Sequence, residues 1–499
     1  MIGVNGFGER RVSFRRLITI LTFLAILTMA VRVAVDTDTW WHLKAGEWMS
    51  EKGAVLRTDP FSSTRFGENW VYPGWLAQIM LYQVYRVGGY GALNMLTGFL
   101  VLLAFALIWP RLDAPPLVRA FVLILGAAAS GVYWAARPHI FSFVLAGGFL
   151  AILEGFEERD RRWMLMLPVL MAVWANIHGG FAIGFLILFS YVGGAILELL
   201  AEAISGQGLR AAVKGKAGDL RWLLLITLAC AAAVALNPNG PVLLLYPFKT
   251  VSIGVLQQYI QEWQSPDFHR AEVLPFLVMM LALLTALTTT TRKVQPAEYL
   301  LAAGFLLLAL LSGRNIALFA LAGTIPLARH GYGGLLRLKP LFPERKDLSE
   351  RVTRPLNALL VVLFLIAAIL KIRIPLQQDV IQDAFEESLP VGAVDYLEEH
   401  PGLGTLFNSY NWGGYVIWRL HPDYLSFVDG RTDLFGDVIL NDYVMAWRAD
   451  EGWEQVLEAY DVDVALLESD APLSRALAHA GWQAAYEDED AAILIRPDS

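Results

Sequence analysis

The chain contains little cysteine and little charge for its length. Of its 499 residues, one is cysteine and 17% are charged, while 56% are hydrophobic. Because Cys230 has no second cysteine to pair with, an intramolecular disulfide and a cysteine-based metal site are both excluded. Soluble globular proteins rarely reach this hydrophobic content. The sequence therefore predicts a membrane protein.

Ionisable side chains are scarce inside the long apolar runs, of which about eleven suit the ~20-residue length of a membrane span. These runs cover residues 17–35, 91–109, 117–134, 140–154, 163–177, 180–200, 221–236, 273–290, 296–312, 315–328 and 355–373. A shorter aromatic segment, 73–87, is predicted to be an interfacial helix. Ion and proton transporters usually carry charged residues deep in the membrane. The scarcity counts against a transporter, and the polar residues clustered in the outer loops count against a pure scaffold; a non-enzymatic envelope-polymer transporter or scaffold is kept as an alternative.

Charge divides the chain into two parts. Residues 375–499 carry 25 acidic and 5 basic side chains, whereas residues 1–374 carry 22 acidic and 34 basic ones. With the apolar runs, this contrast predicts a polytopic α-helical membrane body over 1–374 and a small acidic soluble domain over 375–499, here called the tail. Strand-like and helical segments alternate along the tail, with one predicted strand at Tyr424–Val428, and indicate an α/β domain. Nucleic-acid binding needs a basic face, so the acidic tail argues against such a partner.

Basic residues indicate the orientation of the body. Four arginines precede the first apolar run, and cytoplasmic segments are enriched in Lys and Arg, so the N-terminus is predicted to be cytoplasmic. Those residues are Arg10, Arg11, Arg15 and Arg16. With about eleven spans, the tail is then extracytoplasmic. The predicted location is the plasma (inner) membrane of the cell, which the chain crosses many times.

Polar residues mark each of the six loops on the predicted outer side. They are Asp36 and Asp38, Arg137-Pro138-His139, Asn176–Gly180, Asn237–Gly240, Gln261–Asp267 and Ser312–Asn315. In any single loop, polar groups simply collect where a helix leaves the bilayer. Six such loops on one face together favour a single site at the outer surface.

The residue types in these loops fit the chemistry of a lipid-linked phosphate. Four cationic or hydrogen-bonding groups, Arg137, His139, His178 and Arg314, match the phosphate of a donor. A carboxylate of Asp36 or Asp38 can serve as the general base for an acceptor hydroxyl. The same Asp-x-Asp pair can instead hold Mg²⁺ or Mn²⁺ through its oxygens. A structural alternative is that Asp36 only pairs with Arg32, four residues earlier.

With this placement, the chain resembles the GT-C class of polytopic glycosyltransferases, which contains protein O-mannosyltransferases and lipid A aminoarabinose transferases. The resemblance covers roughly residues 15–330 and depends on the cytoplasmic N-terminus, the spans and the aspartates after the first span. These aspartates begin a long first outer loop, about 36–90. The resemblance implies that one aspartate, matching Asp36 or Asp38, is essential, and that the donor is a sugar linked to a polyprenyl phosphate.

The tail contains a second, fainter resemblance. Trp412-Gly413-Gly414-Tyr415, followed by Val428–Thr432, is similar to the Trp-Trp-Asp-Tyr-Gly region of oligosaccharyltransferases, although the Asp of that motif is missing. It implies acceptor-side roles for Trp412, Asp429 and Arg431, and position suggests another for Glu262. Asp429-Gly430-Arg431 is equally explained as a strand-ending turn with solvated charges.

Together these features predict a membrane glycosyltransferase. It would move a sugar from a polyprenyl-phosphate donor to a lipid, glycan or protein acceptor at the outer face of the membrane. The alternative within enzymes is oligosaccharyltransferase-like transfer of a whole glycan.

Overall fold

The structure is a computed structural model that describes residues 13–155, 161–204, 209–338 and 350–497. Arg10 and Arg11, on which the predicted orientation partly depends, lie outside these ranges. Within them, the body is built of α-helices joined by short 3₁₀ turns. The helices are α1 Phe14–Ala30, α2 Thr37–Lys52, α3 Trp75–Ile108, α4 Pro116–Ser130, α5 His139–Leu153, α6 Met166–Ile177, α7 Ala182–Glu202, α8 Leu209–Val234, α9 Tyr246–Val251, α10 Gly254–Tyr259, α11 Leu274–Thr289, α12 Pro296–Leu311, α13 Ile316–Leu338 and α14 Glu350–Arg373.

Each predicted span falls on one of these helices. Five described helical segments are long and apolar enough, by length and composition, to cross a bilayer. They are Trp75–Arg111, Pro116–Tyr133, Gly179–Glu202, Ala271–Thr289 and Val352–Leu376. Two further apolar segments, His139–Leu153 and Pro296–Leu311, are shorter. The membrane character of the chain follows from these helices, while the number of spans, about eleven, stays a prediction.

The first outer loop is largely helical. The first span ends at Ala30, five residues earlier than the apolar run, and an extended segment leads to α2 at Thr37. The segment 73–87, predicted to be a separate interfacial helix, forms the first half of α3. A kink at Gly88 and Gly89 divides that helix, because Gly89 has a φ of +61° that other residues rarely adopt. The kink marks the place where the predicted loop meets the predicted span.

The tail combines six helices with one small sheet. Its elements are α15 Gln378–Glu386, α16 Val391–Glu399, β1 Thr405–Asn408, α17 Gly413–Leu420, α18 Thr432–Trp447, α19 Trp453–Ala459, β2 Val462–Glu468, α20 Pro472–His479, β3 Gln483–Glu487 and β4 Ala491–Ile495. The strand order is β1-β2-β4-β3, with β1 and β2 parallel and the other pairs antiparallel. Such a sheet with helices is the α/β arrangement that the alternation of strand-like and helical segments predicts.

One predicted strand of the tail is wrong. Residues 424–428 alternate like a strand, but the structure forms none there. Instead, Ser426 makes an isolated bridge to Ser62 of the first outer loop. The backbone N–H of Ser63 donates to the Ser426 carbonyl at 2.9 Å, and the Ser426 N–H donates to the Phe61 carbonyl at 3.0 Å. The backbone of Ser426 therefore bonds to the body, while the next two residues bond to the side chain of Asn408 at the end of β1: the Phe427 N–H donates to Asn408 Oδ1 at 2.7 Å, and Asn408 Nδ2–H donates to the Val428 carbonyl at 2.9 Å.

Body and tail share one hydrophobic core. Trp40 of α2 packs on Tyr90 at 5.6 Å, on Phe385 at 5.1 Å and on Tyr415 at 5.3 Å between ring centroids. Two of these partners, Phe385 and Tyr415, belong to the tail. The boundary between body and tail at residues 374 and 375 stays a prediction that rests on composition. The hydrophobic core is continuous across this boundary. This shared core places the tail directly over the Asp36–Asp38 turn.

Candidate active site

The two aspartates sit at the start of α2. Asp36 is the N-cap residue, and its carboxylate accepts the backbone N–H of Asp38 at 3.0 Å. An aspartate suits this position because it satisfies an orphan N–H and because a helix N-terminus favours negative charge. Asp38 follows in the first turn, where the indole N–H of Trp41 donates to its Oδ1 at 3.1 Å. The local sequence therefore holds both carboxylates on one end of one helix.

Arg137 joins three carboxylates that come from different segments. Its Nη1 lies 2.6 Å from Asp38 Oδ2, its Nε lies 3.3 Å from Asp36 Oδ2, and its Nη2 lies 3.2 Å from Glu262 Oε2. The alternative pairing of Asp36 with Arg32 is wrong, because Arg32 donates to the Gly131 carbonyl instead. Three loops that are predicted to lie on the outer side thus meet at one guanidinium.

Burial and charge separate the pKa values of these carboxylates. Burial raises the pKa of Asp38 to about 6, although the nearby Arg137 opposes the rise. Burial also raises the pKa of Asp36. For Glu262 burial acts in the same direction, but Arg137 and then Arg314 outweigh it and lower the pKa to about 2. Glu262 therefore stays ionised while Asp38 titrates near neutrality, a division that suits Asp38 to proton transfer.

Arg314 has more of its donors left for a ligand than Arg137 does. Its guanidinium lies over the ring of Trp263 at 4.2 Å, and its Nη1 is 4.0 Å from Glu262 Oε1. The side chain is 29% exposed. A guanidinium that stacks on an aromatic ring and has only one distant carboxylate keeps most of its donors for a phosphate.

His178 presents a hydrogen-bond donor to the same region. Its Nδ1 accepts the backbone N–H of Gly180 at 3.1 Å and lies 2.8 Å from the Ser142 hydroxyl. Ser142 in turn accepts the indole N–H of Trp174 at 2.7 Å, which leaves its proton for His178. An Nδ1 that accepts places the ring proton on Nε2. Burial, followed by the charges of neighbouring groups, lowers the pKa of His178 well below its ordinary value, so the ring is a neutral donor.

His139 and Arg137, both predicted to bind phosphate, have other partners within the protein. The Nε2 of His139 is 2.6 Å from the Tyr133 carbonyl, and its Nδ1 is 3.4 Å from the Nε of Arg137. Both ring nitrogens are therefore engaged by the protein, as is the guanidinium of Arg137. Because three carboxylates already surround that guanidinium, a phosphate would add a fourth negative group. His139 orients Arg137, and Arg137 holds the carboxylates.

Two adjoining cavities meet at this cluster. A cavity of about 860 Å³ extends from the cluster to the tail, and one of about 820 Å³ extends between α5, α7 and α12. The first contains both aspartates and tail residues, and the second has many apolar side chains, including Ile183 and Leu186. Both are lined by Tyr72, Arg137, His139, His178, Tyr246, Thr250, Glu262, Trp263 and Arg314. The predicted outer-side residues thus form the wall between a polar and a more apolar space.

Three predicted acceptor-side residues lie elsewhere. Trp412 is 7% exposed and packs in the shared core, while Asp429 and Arg431 are completely buried. Arg431 Nη2 lies 2.6 Å from Asp429 Oδ2, and its Nη1 pairs with Asp59 of the first outer loop. Buried side chains cannot contact an acceptor, so the predicted roles of Trp412, Asp429 and Arg431 do not fit. The solvated-turn explanation of Asp429 and Arg431 is wrong for the same reason.

Glu262 lines both cavities, but its contacts are with arginines. One oxygen binds Arg137 and the other faces Arg314, so Glu262 connects the aspartate cluster to the cation that is available for a phosphate. Its own backbone carbonyl accepts the Ser312 hydroxyl at 3.1 Å, which fixes the loop. An acceptor-side role for Glu262 stays a prediction.

The predicted Mg²⁺ or Mn²⁺ site does not fit these residues. The oxygens of Asp36, Asp38 and Glu262 that face one another are bound to Arg137, so a guanidinium occupies the place where a cation would bind. Within the described ranges, no three His, Cys, Asp or Glu side chains converge in a way that could hold a metal ion. Arg137 thus partly neutralises the negative charge of the three carboxylates.

Comparison with solved structures identifies the fold. The archaeal oligosaccharyltransferase AglB from Archaeoglobus fulgidus, solved with an inhibitory peptide and a dolichol-phosphate, superposes with a TM-score of 0.55 at 14% sequence identity, covering 91% of this chain and 69% of AglB. The chain has a GT-C fold. ArnT from Cupriavidus metallidurans, bound to undecaprenyl phosphate, is also similar, with a TM-score of 0.47 at 13% identity over 97% of this chain and 98% of ArnT. No family model and no curated protein matches the sequence.

The GT-C resemblance seen in the sequence is thus confirmed for the fold. One fold supports several reactions, so the reaction must be argued from the site. Sequence reasoning missed most of the tail residues of the polar cavity. They include Ser409, Tyr410, Asn411, Asp433, Trp447 and Glu468. Tyr410 and Asn411 directly precede the Trp412–Tyr415 motif, so that motif pointed to the right segment but to the wrong residues.

Proposed function

We propose that the chain is a membrane glycosyltransferase that transfers a sugar from a polyprenyl-phosphate-linked donor to a lipid, glycan or protein acceptor. The observation that carries this proposal is the position of Asp38. Burial raises the pKa of its carboxylate to about 6, and the carboxylate lines a polar cavity, while Arg314 lies where that cavity joins an apolar one. A proton acceptor and a phosphate-binding cation are thus on the two sides of one reaction space.

The donor fits the side of the site that contains the apolar cavity. Arg314 and the Nε2–H of His178 offer hydrogen bonds to a phosphate, and Ile183, Leu186 and Leu318 line the space beyond them. A polyprenyl chain needs such an apolar space close to its phosphate. AglB was solved with a dolichol-phosphate, a ligand of this chemical class, which supports the same ligand class for this chain.

Transfer would proceed by attack of an acceptor hydroxyl on the anomeric carbon of the sugar. The bond between that carbon and the phosphate oxygen breaks, and the phosphate leaves with the electron pair. Asp38 takes the hydroxyl proton, and Arg314 and His178 stabilise the charge that develops on the leaving phosphate. Arg137 has no step of its own; it holds Asp38 and Asp36 in place.

The proposed topology keeps the sequence-based orientation. The N-terminus is cytoplasmic, the tail is extracytoplasmic, and the reaction takes place at the outer face of the plasma membrane. Convergence of the predicted outer loops on one cavity supports this arrangement, because the site residues then share one side of the membrane.

Transfer of a whole glycan is the second candidate function. The likeness to AglB, an oligosaccharyltransferase, favours it at the level of the fold. Donors that carry either one sugar or a long glycan on the same polyprenyl phosphate would separate the two reactions. A scaffold without enzymatic activity would transfer neither.

We expect the purified protein in lipid nanodiscs to transfer a tagged sugar from a polyprenyl-phosphate donor to membrane-extract acceptors. Arg314→Gln should raise the donor KM about tenfold or more, since a charge-assisted hydrogen bond contributes about 1.5–3 kcal/mol. Arg314→Lys, which keeps the charge, should lose less. Lipid-linked donor should also accumulate in cells that lack the protein. Absence of transfer from every donor, without accumulation in cells, would contradict the proposal.

We further expect transfer to continue in excess EDTA. Arg137 occupies the position between the carboxylates that would bind a metal ion, so we expect chelation to remove nothing that the reaction needs. Titration with Mn²⁺, followed by electron paramagnetic resonance, should show no stoichiometric binding to the protein and no difference in the Asp38→Asn variant. Loss of transfer in EDTA with recovery by Mg²⁺ or Mn²⁺ would mean that Arg137 moves aside for a metal.

A further inference from the structure

Two glycines of the tail lie against the first turn of α2. A Cβ atom built on Gly414 would overlap the carbonyl oxygen of Thr37, and one built on Gly430 would overlap Oδ1 of Asp38. Gly430 does not have a positive φ, so other residues could adopt its backbone conformation. What requires glycine at position 430 is therefore the space that the Asp38 carboxylate occupies.

The tail backbone is fixed on both sides of Gly430. Before it, the Thr64 hydroxyl of the first outer loop donates to the Phe427 carbonyl at 2.7 Å. After it, the fully buried Arg431 pairs with Asp59 of the same loop. The segment from 427 to 431 is thus held by the body at both ends. Since its ends cannot shift freely, the backbone at Gly430 forms a rigid wall beside Asp38.

The Asp38 carboxylate has three neighbours that define its orientation. Arg137 binds Oδ2 at 2.6 Å, Trp41 donates to Oδ1 at 3.1 Å, and the Gly430 backbone lies against Oδ1, while the rest of the carboxylate lines the polar cavity. A rotation of this side chain would break the first two contacts. The third neighbour limits such a rotation, because the carboxylate cannot turn toward the Gly430 backbone that lies against Oδ1.

We propose that Gly430 is a positioning residue for Asp38, and that the tail thereby completes the active site. This inference rests on the proposed function, in which Asp38 takes the proton of the acceptor. The backbone at Gly430 keeps the carboxylate aligned with Arg137 and Trp41. The tail then contributes to bond formation through Asp38, in addition to any contact that it makes with an acceptor.

The test is Gly430→Ala in the full-length protein in nanodiscs. The added methyl group should push the Asp38 carboxylate away from its partners, and a misplacement of about 1 Å can reduce the rate up to ~10²-fold. We expect kcat to fall by about tenfold or more, since a partial displacement gives part of that loss. The donor KM should stay unchanged, because Arg314 and His178 lie on other segments. The acid limb of the pH–rate profile should also move, since Asp38 loses its contact with Arg137.

Two glycine-to-alanine variants serve as matched controls. Gly392→Ala also adds a crowded methyl group to the tail, but its nearest neighbour is the hydroxyl of Tyr486, the flexible end of a side chain. Gly304→Ala adds a methyl group in open space. Both should keep the wild-type kcat and pH profile. If Gly430→Ala only loosens the tail, the thermal unfolding midpoint of the protein should fall while the acid limb of the pH–rate profile stays in place. That result would overturn the inference.

A second measurement does not need activity. Carbodiimide-promoted labelling of carboxyl groups, read by mass spectrometry, should modify Asp38 several-fold faster in Gly430→Ala than in the wild type or either control. If the wild type transfers no sugar, the proposed function fails, and the labelling rate alone decides the positioning role. Unchanged labelling of Asp38 in a folded Gly430→Ala protein would overturn the inference whether or not the enzyme is active.

Discussion

Asp38→Asn should reduce sugar transfer by about 10²–10⁴-fold, the usual contribution of a general base. Asparagine keeps the size of the side chain and an oxygen for the indole N–H of Trp41. Arg137 retains two carboxylate partners, Asp36 and Glu262, so the cluster should stay assembled. What is lost is the ability to take a proton. Initial rates with a tagged donor in nanodiscs measure the effect, and equilibrium binding of the donor should be unchanged.

The matched control is Asp36→Asn. Asparagine is as good an N-cap residue as aspartate, so α2 should keep its start. The loss of transfer should be smaller than for Asp38→Asn, because Asp36 uses one oxygen to cap the helix and lies farther from Arg137 than Asp38 does. Equal losses of transfer rate in the two variants would mean that the reaction depends on the total negative charge of the site and not on Asp38 as a single base.

The pH dependence follows from the same carboxylate. Burial raises the pKa of Asp38 to about 6, so below that pH the group carries a proton and cannot accept another. The rate of the wild type should therefore fall as the pH decreases through about 6. The residual rate of Asp38→Asn should lack this acid limb. A wild-type rate that is level between pH 5 and 7 would contradict the assignment of Asp38 as the base.

The loops that converge on the site could be predicted from the sequence. Asp38, Arg137, His178 and Arg314 lie at the ends of apolar runs, and the alternation of basic loops places those ends on one side. The ends of spans can be predicted because a span has a typical length of apolar residues. The side on which each loop lies can be predicted because cytoplasmic loops are enriched in Lys and Arg. Once the ends are assigned to one side, polar residues in them must come close together. The lining of the polar cavity confirms that these residues meet.

The partners within the cluster could not be predicted. The residue type alone suggests that Arg137 and His139 bind phosphate, but which carboxylates surround them depends on packing between helices that are distant in sequence. Glu262 is 125 residues from Arg137, and no local pattern links the two. The same limit explains the metal prediction, because an Asp-x-Asp pair looks alike whether a cation or an arginine lies between its oxygens.

The tail shows a further limit. Its alternating pattern predicts helices and strands correctly where residues pack within the tail, as in β2 and β4. The pattern fails at Ser426, whose backbone bonds to the first outer loop across more than 360 residues. Asp429 and Arg431 look like exposed turn residues because charge usually indicates solvent. Only the structure shows that Asp59 completes a buried ion cluster with them.

Arg431→Met should destabilise the protein strongly, because it would leave two buried carboxylates without a partner. Arg431, Asp59 and Asp429 are completely buried, and removing one partner of a buried ion pair typically costs about 3–5 kcal/mol. Methionine fills most of the volume and can pack on Phe61 and Trp70, which now lie beside the guanidinium. The loss therefore reflects charge and not a cavity. Thermal unfolding in detergent and limited proteolysis of the tail should both detect it.

The matched control combines Arg431→Met with Asp59→Asn and Asp429→Asn. Asparagine keeps an acceptor for the backbone N–H of Phe61, which donates to Asp59 at 3.0 Å, and removes both charges. Replacing all members of a buried ion cluster with uncharged groups often changes the stability of the fold little. The triple variant should therefore recover most of the lost stability. If Arg431→Met alone unfolds at the wild-type midpoint with its tail still protected from protease, this cluster does not anchor the tail to the first outer loop. If the triple variant is as unstable as the single one, the guanidinium acts through its hydrogen bonds and ring contacts more than through its charge.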